Sequence, residues 1–314
     1  MPFPNENQTV LRSFYILGFK NMEEKRILLF MLLLSIYLLT LSGNMLIIII
    51  TKSDTILENP MFCLLGNLSM LDICYISATV PHMLVILASR QNRISFDGCL
   101  AQLFSVIFLE SVECFLLAIM AYDRYAAICK PLHYILIMSR EFCYSLLSWA
   151  IIASILHSLL HTLLIVRLPF CDDEINHLFC DIPPLLKLSC TDTSLNEMVL
   201  FAVSGVFVGL GPLLFIFLSY IYIVCTVCKM ASESGRKKTF STCASHLIIV
   251  SVFYGTGSFT YIRPKTSYSL ERDKLLSLFY NIVTPLANPI VYSLRNTELR
   301  TALRKLFRRR ICQS

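Results

Sequence analysis

Residues 120–134 read MAYDRYAAICKPLHY. An apolar run that begins near Cys99 ends here in the charged pair Asp123-Arg124. A helix from Cys99 to Arg124 would run about 37 Å at roughly 1.5 Å per residue. That exceeds a hydrocarbon core of roughly 30 Å. With Cys99 at one rim of a bilayer, the pair falls at the opposite rim, where charge meets headgroups and water. Arg124 can lock onto Asp123, snorkel as an interfacial anchor, or reach a partner.

The rest of the chain supports a membrane setting. Of 314 residues 56% are hydrophobic and 15% charged, with mean hydropathy +0.66. A soluble domain carries about 25% charge. The apolar residues gather into seven stretches: 27–50, 60–87, 99–122, 142–165, 197–228, 239–262 and 275–294. A spanning helix needs about 20 such residues. Helix is the expected state, because an open strand edge in lipid leaves backbone groups unpaired. The expected architecture is an all-α bundle of seven transmembrane helices. Residues 1–26 precede it, 27–294 form the spanning domain, and 295–314 form a basic tail. No internal repeat, low-complexity stretch or domain linker interrupts it.

Charge sets the orientation. The tail holds Arg295, Arg300, Arg304, Lys305, Arg308, Arg309 and Arg310, and the 229–238 loop holds Lys229, Arg236, Lys237 and Lys238. The 166–196 loop is acidic, with Asp172, Asp173, Glu174, Asp181 and Asp192. The N-terminus is therefore expected outside and the C-terminus in the cytoplasm. The net charge of +6 reads as anchoring to anionic lipid and not as nucleic-acid binding. Residues 1–26 lack the apolar core of a cleavable signal, so the first helix is expected to act as its own insertion signal. Asn7-Gln8-Thr9 is a glycosylation sequon on the outer side, whereas Asn67-Leu68-Ser69 lies inside a span.

Several cysteines, among them Cys63, Cys74, Cys114, Cys225 and Cys243, lie in apolar stretches and read as packing residues. Cys99, Cys171, Cys180 and Cys190 face the oxidising exterior, where disulfides form. Four cysteines allow three pairings, and spacing does not choose among them. Cys312 in the tail is either a free thiol or a palmitoylation site.

MAYDRYAAICKPLHY resembles the end of the third helix in the olfactory receptor branch of rhodopsin-like G-protein-coupled receptors. Other stretches resemble the same family in order along the chain. They are SGN (42–44), NPMFCLLGNLSMLDICYISATVPHML (59–84), SYIYIVCTVCKMASESGRKKTFSTCASHL (219–247) and PLANPIVYSLRN (285–296). The resemblance covers essentially the whole chain. Its departures are mild: His82 for the usual Lys, Ala127 for Val, and Leu286-Ala287 for Met-Leu. Helix six has Phe253-Tyr254-Gly255 in place of the Trp-x-Pro of other rhodopsin-like receptors, as is typical of the branch.

The resemblance implies a receptor that binds small, mostly apolar odorants in the bundle, activates a stimulatory olfactory-type G protein and raises cAMP. It implies no enzyme activity, no nucleic-acid partner, and a place in the plasma membrane of sensory cilia. It assigns a cytoplasmic switch to Asp123, Arg124, Tyr125, Tyr220, Asn288, Pro289 and Tyr292. It pairs Cys99 with Cys180 and Cys171 with Cys190. It places Ser204, Gly205 and Val208, Tyr254, Ser258 and Tyr261, and Asn281 around a ligand cavity. Helix three offers the inward stripe Val106, Ile107, Glu110 and Ser111 to the same cavity, since an unpaired Glu facing lipid is costly.

Asp72 and Glu113 stand about 18 Å and 16 Å into their helices at roughly 1.5 Å per residue, and so at one level if the helices are neighbours. Two ionised carboxylates there would be very costly. Either a proton is retained or a cation lies between them; related receptors bind sodium near the position of Asp72. Asn44 and Asn288 would complete that network. Other classes fit less well. A transporter often shows paired repeats, and a retinal pigment needs a Schiff-base Lys in 275–294, which has none. His157-x-x-x-His161 lacks the third ligand of a metal centre and reads as packing or polar contacts. A non-olfactory rhodopsin-like receptor for a small endogenous ligand is the nearest alternative.

Overall fold

The structure is a computed structural model. It describes residues 13–18, 24–53, 59–261, 270–295, 299–301 and 304. Asn7 and Cys312 lie outside the described residues, as do the side chains of Ser258 and Tyr261. Seven long helices dominate: α1 (Arg26–Ser53), α2 (Pro60–Ser89), α3 (Phe96–Cys129), α4 (Arg140–Val166), α5 (Ser194–Cys228), α6 (Glu233–Tyr261) and α7 (Leu270–Arg295). The first six are long and apolar enough to cross a bilayer. The seventh opens with Glu271-Arg272-Asp273-Lys274 before its apolar part.

Helix ends follow local chemistry. Pro60 opens α2, where its missing N–H costs nothing. Ser95 caps α3 by accepting from Gly98 N, with Asp97 in the first turn. Ser139 caps α4 by accepting from Phe142 N. α2 ends on Arg90 in the left-handed conformation (φ 59°), which turns the chain toward the outer loop. Within α5, Leu200–Leu210 winds as a π-helix. Such segments are rare and gather at functional sites.

α3 is the central staff. It packs against α2, α4, α5 and α6, while α7 closes the ring against α6, α1 and α2. Its face is the most buried of the spans, whereas the outer faces of α4 and α5 expose Trp149, Leu156, Phe201, Phe207 and Phe217. In water such a surface would aggregate; in a bilayer it is solvated.

SGN has a defined packing role. A Cβ at Gly43 would meet Pro289 at 3.2 Å, so the missing side chain lets α1 approach α7. Beside it, buried Asn44 donates to the carbonyl of Pro285 at 3.0 Å.

The outer end carries structure the sequence did not announce. Strand β1 (Ser13–Ile16) pairs antiparallel with β2 (Arg93–Ser95) and parallel with β3 (Glu174–Ile175). Phe14 is buried under this small sheet against Phe96 and Phe170. Disulfides join Cys99 to Cys180 and Cys171 to Cys190, with Cα separations of 5.5 and 5.3 Å. Gln102 braces the first of these: its amide nitrogen Nε2 donates to Ala78 O, and its Oε1 accepts from Cys180 N, each at 3.0 Å.

Candidate functional site: a polar outer cluster and a closed inner face

At the inner end, α3 runs past the charged pair to Cys129. Arg124 donates through Nη2 and Nε to Asp123 Oδ2, at 2.6 and 3.1 Å. Asp123 is buried, while Arg124 keeps 13% of its side chain exposed. The carboxylate has a second anchor. Tyr134, in the short helix Tyr134–Ile137 of the second inner loop, donates to Asp123 Oδ1 at 2.7 Å and lies 3.0 Å from Asn59 Oδ1. One hydroxyl proton is shared between these two acceptors. Burial, and next the Asp123 carboxylate, push the Tyr134 phenol up, so it stays a neutral donor at physiological pH. Around this phenol the loop exposes Leu132 (92%), Ile135 (84%) and Leu136 (78%).

Behind Arg124 lies a cavity of about 20 Å³ lined by Met61, Leu64, Met120, Ser245, His246 and Tyr292. A cavity of that size holds roughly one water. His246, from the KTFSTCASHL stretch, locks three helices together. Its Nε2 lies 3.1 Å from the Leu117 carbonyl of α3, and its Nδ1 lies 2.9 Å from Tyr220 Oη of α5. A carbonyl only accepts, so Nε2 carries the proton and Nδ1 accepts from the phenol. Tyr220 also stacks on the imidazole, with centroids 5.7 Å apart. The sequence reading missed His246, although a histidine in an apolar helix signals a buried partner. Tyr125 meets α5 through Tyr222, with ring centroids 6.0 Å apart.

At mid-depth, Asn288 Nδ2 sits 2.9 Å from both oxygens of Asp72. Asp72 and Glu113 are buried and within electrostatic range of each other. Glu113 Oε1, Asn288 Oδ1, Asn44 Oδ1 and Ser69 Oγ are buried without a hydrogen-bond partner. Pro289 lies one residue on in α7, against Gly43.

Toward the outer end, the expected ligand stripe divides. Glu110 turns toward α2 and accepts from Tyr75 Oη at 3.0 Å. Ser111 turns toward α4, where His157 Nδ1 lies 2.7 Å away. Ser204 of α5 joins from the other side, 2.8 Å from His157 Nε2 and 2.8 Å from His161 Nε2. Val106, Ile107 and Val208 are buried nearby in sequence. Gly205, by contrast, is on the exposed face of α5 beside Phe201 and is not gathered with them. Tyr254 is half-buried with Phe253 edge-on to it. Asn281 is buried and donates to Ser277 O at 2.8 Å, its Oδ1 unpartnered. The outer loop reaches α7 through His177, whose Nε2 is 2.9 Å from Ser277 Oγ.

Comparison with known proteins adds to this geometry. The family profile described as "Olfactory receptor" matches residues 33–310. "Olfactory receptor 1G1" of Gorilla gorilla gorilla is 48% identical over 302 residues, 96% of each chain. "Olfactory receptor 5A2" of Homo sapiens is 48% identical over 304 residues, 96% of this chain and 94% of that one. Among solved structures, squid rhodopsin aligns with a TM-score of 0.72 at 18% identity, covering 91% of this chain and 86% of that one. At that identity the likeness speaks for the fold.

Proposed function

The chain belongs to the olfactory receptor family, and we propose that it detects small, mostly apolar volatile ligands and signals through a stimulatory, olfactory-type G protein that raises cAMP. Its family and its apolar helices make it a multi-pass protein of the plasma membrane; residence in sensory cilia belongs to the proposal.

The observation that carries the reading is the closed inner face. Arg124 is held by Asp123, Asp123 is held by Tyr134, and His246 ties α3 to α5 and α6. These are weak, separable bonds at the end of a packed bundle. They suit an element with two arrangements, which a ligand biases only by binding one of them better. In the open arrangement Arg124 leaves Asp123 and faces the partner. The exposed Leu132, Ile135 and Leu136 give that partner an apolar foothold beside it. The ligand end is the polar cluster of Ser111, His157, His161 and Ser204, with Glu110 on the neighbouring flank.

The oxygen donors around Asp72 and Glu113 fit a sodium ion, since a hard cation takes carboxylate and amide oxygens; Glu113 Oε1 and the Oδ1 of Asn288, whose Nδ2 holds Asp72, both lack partners. A bound ion would offset the paired carboxylates and favour the closed arrangement.

The test is a cAMP response of the surface-expressed receptor to a library of volatile compounds. Arg124→Ala serves as the uncoupled control and should abolish the response while the protein still reaches the surface. A normal evoked signal in that variant would overturn the switch.

A further inference from the structure

The protons of the outer cluster can be assigned by counting. Ser111 Oγ lies 2.6 Å from the Ile107 carbonyl. A carbonyl carries no proton, so Ser111 donates its only one there. Ser111 must then accept from His157 Nδ1–H, 2.7 Å away. A neutral imidazole has a single N–H, so His157 Nε2 is an acceptor and takes the proton of Ser204 at 2.8 Å. Ser204, its proton committed, accepts from His161 Nε2–H at 2.8 Å. The result is a one-way relay from α4 through α5, back to α4 and into α3. Both hydroxyl protons and both imidazole protons are consumed inside it.

Ser111, His157 and His161 are buried, and Ser204, on the π-helical stretch of α5, is half-buried. Ser204 is therefore the member a small molecule can reach. Its oxygen presents one unused lone pair and no proton. Glu110, next to Ser111, stands apart from the relay and is engaged by Tyr75.

We propose that this relay is the polar anchor of the ligand site and selects molecules bearing a hydroxyl over carbonyl or ether compounds of the same shape. The proposal rests on the odorant-receptor reading above. An alcohol donates to Ser204 Oγ and leaves every internal bond intact. A ketone or ether brings only lone pairs, so a relay bond must break to release a proton for it. His157 and His161 thereby set specificity without touching the ligand, by fixing which way the Ser204 proton points.

The experiment uses the full-length receptor with a surface tag and a cAMP reporter, and aliphatic alcohols paired with ketones and ethers of equal carbon count. Wild type should respond to the alcohol at about tenfold lower concentration, the scale of one net hydrogen bond. His157→Asn keeps an amide N–H for Ser111 but has no Nε2. The Ser204 proton is then free, and the alcohol-to-ketone potency ratio should fall to one or invert. Ser204→Ala exposes His161 Nε2–H as a donor and should move the ratio the same way, so the test survives poor folding of either variant. Equal potencies in wild type, or a ratio unchanged in the variants, would overturn the relay and leave the receptor reading standing. A surface-expressed wild type silent to the whole volatile library would instead overturn that reading.

Discussion

Asn44 of α1 donates to the carbonyl of Pro285, the acceptor that Pro289 leaves orphaned one turn further along α7. In a helix that carbonyl would bond the N–H of residue 289, and proline has none. A side chain from another helix replaces the missing bond at a buried site. The Pro289 ring meanwhile rests where Gly43 leaves room.

Asn44→Ala should therefore leave a buried carbonyl unpaired, at a cost of about 1–3 kcal/mol. In a Pro289→Ala background the same change should cost less, because the helix regains its own donor. Thermal melting of the solubilised receptor and its three variants checks this. Additive losses would mean that Asn44 stabilises through something other than the Pro285 carbonyl.

At the inner end, His246→Leu should raise ligand-free cAMP. It removes both the bond to Leu117 O and the bond from Tyr220, and with them a tie that holds α6 against α3 and α5. Each bond contributes about 0.5–1.5 kcal/mol, so losing both should raise the basal open fraction by roughly five- to a hundredfold. A basal signal equal to wild type at matched surface levels would show that His246 does not restrain opening.

The seven stretches were legible because lipid demands long apolar runs, and each lies on a helix of the structure, six of them long and apolar enough to cross a bilayer among the described residues. Their ends were not. α3 continues to Cys129 and α6 begins at Glu233, since a helix projecting into water loses nothing by becoming polar; Glu233 and Lys237 even pair at 2.8 Å across one turn. β1 was invisible because its partners lie far along the chain. The histidines at 157 and 161 read as packing or polar contacts, and the structure gives them polar partners. Their partners Ser111 and Ser204 stood among the expected ligand residues with nothing to link them, as the link is tertiary. Gly205 was placed inward by resemblance, yet it sits about a quarter turn round the helix from Ser204, on the exposed face.

On the outside, the Cys171–Cys190 bridge closes a short loop with sequence separation 19, for which chain entropy suggests about 3 kcal/mol. Cys171→Ser and Cys190→Ser should each reduce surface expression, and the double variant should be no worse than either alone. Peptide mapping without reduction should find this link together with Cys99–Cys180. A double variant markedly worse than both singles would indicate that the two thiols act separately.

The second inner loop gives the sharpest separation of folding from signalling. Leu132 is 92% exposed, so Leu132→Ser removes almost no buried surface from the receptor itself. Its melting temperature and surface level should match wild type. If a G protein covers this residue, however, the substitution removes the transfer of a leucine side chain from water, worth about 1.5–3 kcal/mol for full burial. Agonist-driven nucleotide exchange on the G protein should then need roughly ten- to a hundredfold more receptor or G protein. Leu136→Ser, at 78% exposure, should act in the same direction, while Tyr134→Phe should act on the basal signal, because it frees Asp123 and not the partner's foothold. Wild-type coupling in both leucine variants would mean that the loop's apolar face meets lipid, and that the partner is held by Arg124 and the inner ends of α5 and α6 alone.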